Sequence, residues 1–311
     1  MSADAWRARI IADAPHVLIY PEIGMDSMAA QLASQRLAPV QCNALGHPET
    51  SGMPTVDYFL SSAAMEPPDG DAHYTEQLVR LPGLSVFYEP RDVRPTEVTR
   101  ASMGLRTGLP VFWCGQSLYK YLPQYDEVFP RIVREVGPCQ FAFIVYPFGT
   151  HVTALFRARL ERTFAAYGLD AAAHCVFLPR LNGDEFADTA GQCDIVLDSL
   201  GWAGFNSNLE SMVHNRPIVA FEGALMRGRH TAAALRLMGM HELVATTVAD
   251  YVAIAVRLAR DSSLRAAVGQ QIAEGKSYIF RDRDTITALE AFLVDAVTKA
   301  SSISCIEDQP L

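Results

Sequence analysis

Of the twenty-six lysines and arginines only three are lysines, and one of these, Lys120, closes the segment Gln116-Ser117-Leu118-Tyr119-Lys120 just after the apolar run Pro110–Cys114. A compact ammonium in a strand-end loop can neutralise an anion as a point charge. The plainer alternative is a solvated lysine. A second stretch, Asp194 to Glu210, reads DIVLDSLGWAGFNSNLE. An apolar run ends at Asp198, a small-residue turn with Gly201 and Gly204 follows, and Asn206, Ser207 and Asn208 open a helix. A helix start presents N–H groups and the positive end of the helix dipole, which together attract anions. Glu210, in the first turn, is placed to accept hydroxyl donors such as a ribose diol. The combination points to a nucleotide phosphate. Ser207-Asn208-Leu209-Glu210 also fits the S-x-x-E capping box, in which Glu210 caps its own helix. The two roles are compatible, because a carboxylate has several lone pairs.

Three further residues invite chemistry. Phe186, in Asn182-Gly183-Asp184-Glu185-Phe186, follows another strand and could stack on a nucleobase, or face the core of a short helix. His47, in the turn Gly46-His47-Pro48-Glu49-Thr50-Ser51-Gly52, is suited to acid–base work or to binding a hydroxyl or phosphate. A surface histidine with no role is its alternative. Arg229 could reach an anion across a cleft, or be a solvated loop arginine; His16 reads as structural.

These residues need strands and helices to hold them. Val17–Tyr20, Pro39–Leu45, Tyr58–Leu60 and Leu84–Tyr88 read as strands, and Ser27–Gln35 as a helix. Glu89 to Gly108, poor in apolar residues and rich in Arg, Thr and Pro, reads as a linker. After it the pattern is regular. Strands at Pro110–Cys114, Phe141–Tyr146, Cys175–Leu178, Ile195–Leu197 and Ile218–Phe221 alternate with helices at Tyr125–Val136, Leu155–Tyr167, Asp184–Thr189 and from Ser207. Such alternation predicts a parallel, doubly wound sheet, with ligands at the strand C-terminal ends. Asp250 to Lys299 reads as helical from its period. The expected domains are residues 1–107 and 108–311.

The 311 residues carry a formal net charge of −9, which argues against nucleic acid or an anionic membrane as the main partner. No run approaches the ~18 apolar residues of a membrane span, and MSADAWRARI lacks the order of a signal peptide. Six scattered cysteines without a C-x-x-C read as reduced, mostly buried thiols of a cytoplasmic protein. No HxxxH or HExxH spacing suggests a catalytic metal.

The segments RLAPVQ, GHPETSG, VDYFLSS, MEP and HYTEQLVRLP, followed by QSLYK, CDIVLDSLGWAGFNSNLESM, NRPIVAFEG and RHTAAALRLMGMHELVATTVADYVAIAVRLARD, resemble the catalytic region of the O-linked N-acetylglucosamine transferase (SPINDLY-like) family and the related bacterial protein N-glucosyltransferases. The resemblance runs from about Asp13 to about Val297. It implies two facing Rossmann-like domains of the GT-B type, the N-terminal one lacking its first strands. It also implies inverting, metal-independent transfer of GlcNAc or glucose from UDP-GlcNAc or UDP-glucose to a protein or peptide side chain, with no cofactor. Lys120 would stabilise the leaving diphosphate, with Gln116 near it. The Leu181 backbone and Phe186 would hold uracil; Asn206, Ser207 and Asn208 would meet the phosphates; Glu210 would bind ribose; and His47 would face the donor sugar or acceptor. Glu210 stands where better-known members have aspartate, and Phe205-Asn206-Ser207 where the O-GlcNAc enzymes have His-Thr-Thr. The short N-terminal domain motivates a second expectation: a non-catalytic UDP-sugar-binding module, or a chain completed by an oligomer or partner. A UDP-sugar epimerase of the same architecture is a third.

Overall fold

The computed structural model describes residues 1–94 and 96–307, with side chains through residue 302; Pro95, within the expected linker, and the Cys305 side chain lie outside the described residues. The backbone divides into two units, Met1–Tyr88 with Arg281–Leu311, and Glu89–Phe280.

The first unit opens with helix α1 (Ala3–Asp13), strand β1 (Val17–Tyr20), α2 (Ser27–Ala33), β2 (Val40–Ala44), β3 (Tyr58–Ser62) and β4 (Gln77–Leu81). Its four strands pair in parallel in the order β1-β2-β3-β4. The second unit runs β5 (Val111–Cys114), α3 (Val128–Val136), β6 (Gln140–Ile144), α4 (Thr150–Ala166), β7 (Cys175–Leu178), α5 (Gly183–Gln192), β8 (Ile195–Leu197), α6 (Asn206–Met212), β9 (Ile218–Phe221), α7 (His230–Leu237), β10 (Val244–Ala245), α8 (Val248–Arg260) and α9 (Ser262–Gly275). The chain then returns to the first unit as α10 (Asp284–Glu307).

The second sheet is entirely parallel, in the order β10-β9-β8-β5-β6-β7. Counted from β5, this is the doubly wound order in which the chain reverses direction between its first and fourth strands. The loops after β5 and β8 diverge at that point and leave a crevice beyond the strand ends. The sequence makes this sheet by filling strands with residues buried on both faces: Val111, Phe112, Trp113 and Cys114 are all buried, as are Ile195, Val196 and Leu197. Phe112 stacks on Phe141 at 5.1 Å, and Phe129 of α3 meets both Phe141 and Phe143 edge-on.

Several boundaries differ from those read in the sequence. Leu84–Tyr88 is not a strand: Ser85 takes a left-handed φ of 60°, which turns the chain, and the edge strand is β4 instead. The segment after Tyr88 belongs with the second unit rather than ending a domain at residue 107. Arg100 ties it there, donating to the carbonyls of Gln192 and Leu109 and to Asp194 Oδ1 at 2.8 Å. The helical tail is three helices. Asp261 stops α8 and caps α9 by accepting from the Leu264 N–H at 2.9 Å. Arg281, with φ of 58°, turns the chain again before α10. That helix presents Leu289, Phe292, Leu293, Ala296 and Val297, an i, i+3, i+4, i+7, i+8 stripe, to Val40, Cys42 and Leu60 of the first sheet.

Among the described residues, no helix is long and apolar enough to cross a membrane. Cys42, Cys114, Cys139, Cys175 and Cys193 are free thiols, all buried except the half-buried Cys175.

Candidate functional site

The loops after β5 and β8 converge at the switch point of the second sheet. Gln116 lies in the first loop, only 4% exposed. Its Nε2 donates to the Ser207 hydroxyl at 2.7 Å and to Asn208 Oδ1 at 3.0 Å. Asn208 Nδ2 donates to Thr231 Oγ1 at 2.7 Å, and that hydroxyl donates to the Gly204 carbonyl at 3.2 Å. The Gly204 N–H in turn donates to Asp198 Oδ1 at 2.7 Å. A buried polar circuit thus joins β5, β8, α6 and α7. Gly204 is required at its centre, because a Cβ there would stand 2.2 Å from Gln116 Nε2.

Lys120 ends a short 3-10 turn, Leu118–Lys120, and its half-buried Nζ donates to the Ala203 carbonyl at 3.3 Å. Burial draws its pKa below the ordinary lysine value, and the charge of Asp198 offsets part of that. Asp198 is itself 1% exposed; burial pushes its carboxyl up against the pull of the Gly204 N–H, Thr231, Asn208 and Lys120. An incoming anion would therefore meet a cation that water solvates poorly, a condition that strengthens the attraction.

Beside this circuit is a cavity of about 220 Å³ lined by Gly115–Leu118, Ile144–Pro147, Arg180, Leu181 and Phe186. That volume is below the ~300 Å³ at which drug-sized pockets begin and suits a planar ring. Phe186 is half-buried and sits edge-on to Trp113 at 5.2 Å, so it both reaches the core and forms the cavity wall. Its helix α5 has a complete capping box: Asn182 accepts from the Asp184 and Glu185 N–H groups, and Glu185 accepts from the Asn182 N–H at 2.8 Å. The N-x-x-E spelling of this box stands in the sequence at Asn182–Glu185, whereas the box expected from the sequence is Ser207–Glu210 of α6.

There the structure corrects the reading. Phe205 occupies the N-cap of α6 with no side-chain cap, Ser207 turns to Gln116, and Glu210 does not close a box. Asn208 is 2% exposed and its N–H donates to the Phe205 carbonyl at 3.0 Å, so it braces the loop rather than offering its amide outward. Asn206 is exposed, and the first N–H groups of the helix have no intrahelical acceptor. Glu210 is half-buried; burial raises its pKa while the charge of Arg91 opposes the rise.

His230 carries no signal in the sequence. It opens α7, is 3% exposed, lies 5.2 Å from the Phe205 ring, and has Nε2 3.1 Å from Met226 Sδ. Burial, then the nearby Lys120 charge, pull its pKa to about 3, so the ring is neutral. Arg229 is neither a solvated arginine nor free to reach an anion: it pairs with Glu222 at 2.5 Å and donates to the Gly223 carbonyl.

His47 belongs to the first unit, in the turn after β2. It is half-buried, not exposed, because its ring lies against Gly24, where a Cβ would come within 2.0 Å of it. Nε2 is 3.5 Å from Glu49 Oε2. Buried Glu76 fixes the turn by accepting from the Ser51 N–H and the Thr50 hydroxyl. Burial alone would raise the Glu76 pKa, but these bonds leave it below the ordinary value. Among the described residues no group of three His, Cys, Asp or Glu side chains could hold a metal ion.

Comparisons with known proteins bear on the family and the fold. The model of "Glycosyl transferase family 41" matches residues 89–287. The chain is 30% identical over 245 residues to a probable UDP-N-acetylglucosamine–peptide N-acetylglucosaminyltransferase SPINDLY of Petunia hybrida, covering 77% of this chain and 26% of that protein. It is 26% identical to a UDP-glucose:protein N-beta-glucosyltransferase of Actinobacillus pleuropneumoniae, covering 83% of this chain and 40% of the other. The chain thus spans between a quarter and two fifths of the length of these relatives. Among solved structures, a Thermobaculum terrenum O-GlcNAc transferase mutant superposes with a TM-score of 0.81 at 25% identity, over 96% of this chain and 57% of that one. The two parallel α/β units are of the Rossmann-like, GT-B type, and the chain belongs to glycosyl transferase family 41.

Proposed function

We propose that this chain binds a UDP-sugar and serves an inverting, metal-independent transfer of GlcNAc or glucose to a protein side chain. The observation that carries this reading is the convergence of Lys120, Gln116, Ser207, Leu181 and Phe186 at one switch point. A poorly solvated cation stands beside a ring-sized cavity there. In this reading uracil occupies the cavity between Leu181 and Phe186. The ribose hydroxyls reach Glu210. The diphosphate lies against Lys120 and the first turn of α6, near Asn206 and Ser207, while Asn208 holds that turn in place.

An acceptor hydroxyl or amide attacks the anomeric carbon, and the bond to the diphosphate oxygen breaks. The charge that develops on that oxygen is met by the Lys120 ammonium and by backbone N–H groups already in position, the kind of preorganised stabilisation that contributes most to catalysis. These groups supply the positive charge without a resident cation. His47, with Glu49 beside it, is the candidate to take the acceptor's proton. The names of the relatives, one acting with UDP-N-acetylglucosamine on peptide and one with UDP-glucose on protein, support both donors. The five free thiols among the described residues favour a reducing compartment, and we place the chain in the cytoplasm.

The test is incubation with UDP-GlcNAc or UDP-glucose and a peptide library, reading UDP release and peptide mass. Sugar added to peptide by the wild type and lost in Lys120→Ala is the expected result. UDP binding with no transfer from either donor would make the chain a donor-binding module and overturn the catalytic part.

A further inference from the structure

His230 is the first residue of α7 and is 3% exposed. Its Nε2 lies 3.1 Å from Met226 Sδ. A thioether sulfur accepts a hydrogen bond and has no proton to give, so the ring proton sits on Nε2. Nδ1 is therefore a bare lone pair. That atom is closed to solvent and has no hydrogen-bond partner among the described residues. A buried acceptor without a donor costs stability, and a hydrocarbon side chain of similar size would fill the space without that cost. The lone pair calls for a donor that is not yet in place.

Lys120 has donors to spare. Its ammonium carries three N–H groups, and Nζ bonds the Ala203 carbonyl with one of them, at the long distance of 3.3 Å. The backbone brings His230 to the same place. The Ala203 N–H donates to the Arg227 carbonyl at 2.8 Å, in the 3-10 turn Met226–Gly228 that leads into His230. Two residues beyond Ala203, the Phe205 ring packs 5.2 Å from the imidazole. His230 thus lies against the short segment on which the lysine rests, near enough that the Lys120 charge, after burial, lowers its pKa. Asp198 also acts on Lys120, but its carboxylate has donors of its own in the Gly204 N–H, Thr231 and Asn208. A carboxylate partner would moreover cancel charge that a diphosphate needs. A neutral imidazole lone pair fixes the direction of an N–H and leaves the charge whole.

We propose that His230 is a positioning residue for Lys120. As the lysine turns from the Ala203 carbonyl toward the diphosphate, Nδ1 accepts a second N–H of the ammonium and holds Nζ in place. The remaining N–H and the full charge then face the phosphate oxygens. His230 touches no substrate and takes no proton, because its ring is closed to solvent and neutral. The proposal rests on the reading of Lys120 as the partner of the diphosphate and adds the group that orients it.

The test compares the full chain with His230→Leu, which removes the lone pair, and His230→Asn, whose Oδ1 offers an acceptor near the position of Nδ1. The chain has three lysines, so the ammonium signal of Lys120 is resolved by lysine-selective labelling and NMR, and assigned by its loss in Lys120→Ala. A lone pair this near favours the charged lysine even before a ligand arrives. Without nucleotide, the Lys120 pKa should therefore fall by about half a unit or more in His230→Leu and recover in His230→Asn. By calorimetry, His230→Leu should bind UDP at least fivefold more weakly than wild type, and His230→Asn within twofold of it. Uridine, which has no phosphate, should bind all three alike. A merely structural role would move uridine and UDP together, and asparagine would not restore it. In a Lys120→Ala background, His230→Leu should weaken UDP no further. An unchanged Lys120 pKa in His230→Leu, equal loss of uridine and UDP, or a loss that persists without the lysine overturns the proposal. A Lys120 pKa that responds to His230 in a chain that binds no UDP would support the positioning role and overturn the donor reading instead, so the two failures are separable.

Discussion

Gly204→Ala probes the circuit that holds the site together. A Cβ at this position would lie 2.2 Å from Gln116 Nε2, 2.7 Å from its Cδ and 2.8 Å from Asn208 Nδ2. The Gln116 amide must swing away. It is only 4% exposed, so it leaves behind the two bonds it makes to Ser207 and Asn208. Two such bonds contribute about 1 kcal/mol each, and a buried acceptor left without a donor costs about 1–3 kcal/mol more, so the expected loss is roughly 3–5 kcal/mol. For a unit of the length of Glu89–Phe280 that lowers Tm by about 6–20 °C. Thermal unfolding followed by fluorescence reports on it directly, because Trp113 and Trp202 both lie in this unit. The cause is tested by a double-mutant cycle with Gln116→Ala. Once the glutamine side chain is gone, the added methyl should cost less than about 1 kcal/mol, a coupling well above experimental error. A Gly204→Ala variant as stable as wild type, or one equally destabilised in both backgrounds, would refute the reasoning.

Other consequences follow from single groups. His230 is held neutral with its pKa near 3, so the unfolded chain binds a proton there that the folded one refuses. Stability should fall as pH drops below about 6.5, approaching 1.4 kcal/mol per pH unit from this residue, and His230→Gln should flatten the dependence in a urea titration series. Asn182→Ala removes the cap of α5 and should cost about 1 kcal/mol while weakening UDP binding severalfold through Leu181 and Phe186; unchanged stability in chemical denaturation would contradict the capping assignment. Burial pushes Cys42, Cys139 and Cys193 up to about 12 and raises Cys114 well above the ordinary thiol value, so these thiols should resist Ellman's reagent at pH 8 until the protein is unfolded.

The second unit was legible because its strands are continuous apolar runs and its helices are periodic. Val111–Cys114 and Ile195–Leu197 are buried on both faces, and that pattern is written directly in residue type. Gln77–Leu81 was not legible: as an edge strand it carries Gln77 and Arg80 among only three apolar residues and does not alternate, while the more apolar Leu84–Tyr88 stands out and turns at Ser85. The grouping of α10 with the first sheet depends on contacts between residues more than two hundred positions apart, such as the Thr285 hydroxyl donating to the Pro82 carbonyl, which no local window contains. At the candidate site, Lys120 and Phe186 are singled out by position after strands as well as by the family resemblance, and Gln116 and Leu181 by the resemblance alone. The misreading at Ser207 was a competition between a local cap and a long-range partner, and Gln116, ninety-one residues away, won. His230 and the bracing role of Asn208 could not be seen at all, because burial of a polar group against a distant loop leaves no trace in spacing.

The central claim is that the switch point of the second sheet binds a nucleoside diphosphate through Lys120. Calorimetry of UDP binding to the wild type and to Lys120→Ala tests it most directly. The Nζ gives up one bond to the Ala203 carbonyl and a buried charge when removed, opposing effects that leave folding stability within about 1 kcal/mol. The account predicts micromolar binding by the wild type and a loss of at least tenfold, about 1.4 kcal/mol, in a variant of unchanged Tm. No heat of binding from the folded wild type, or equal affinity in the two proteins, would contradict it.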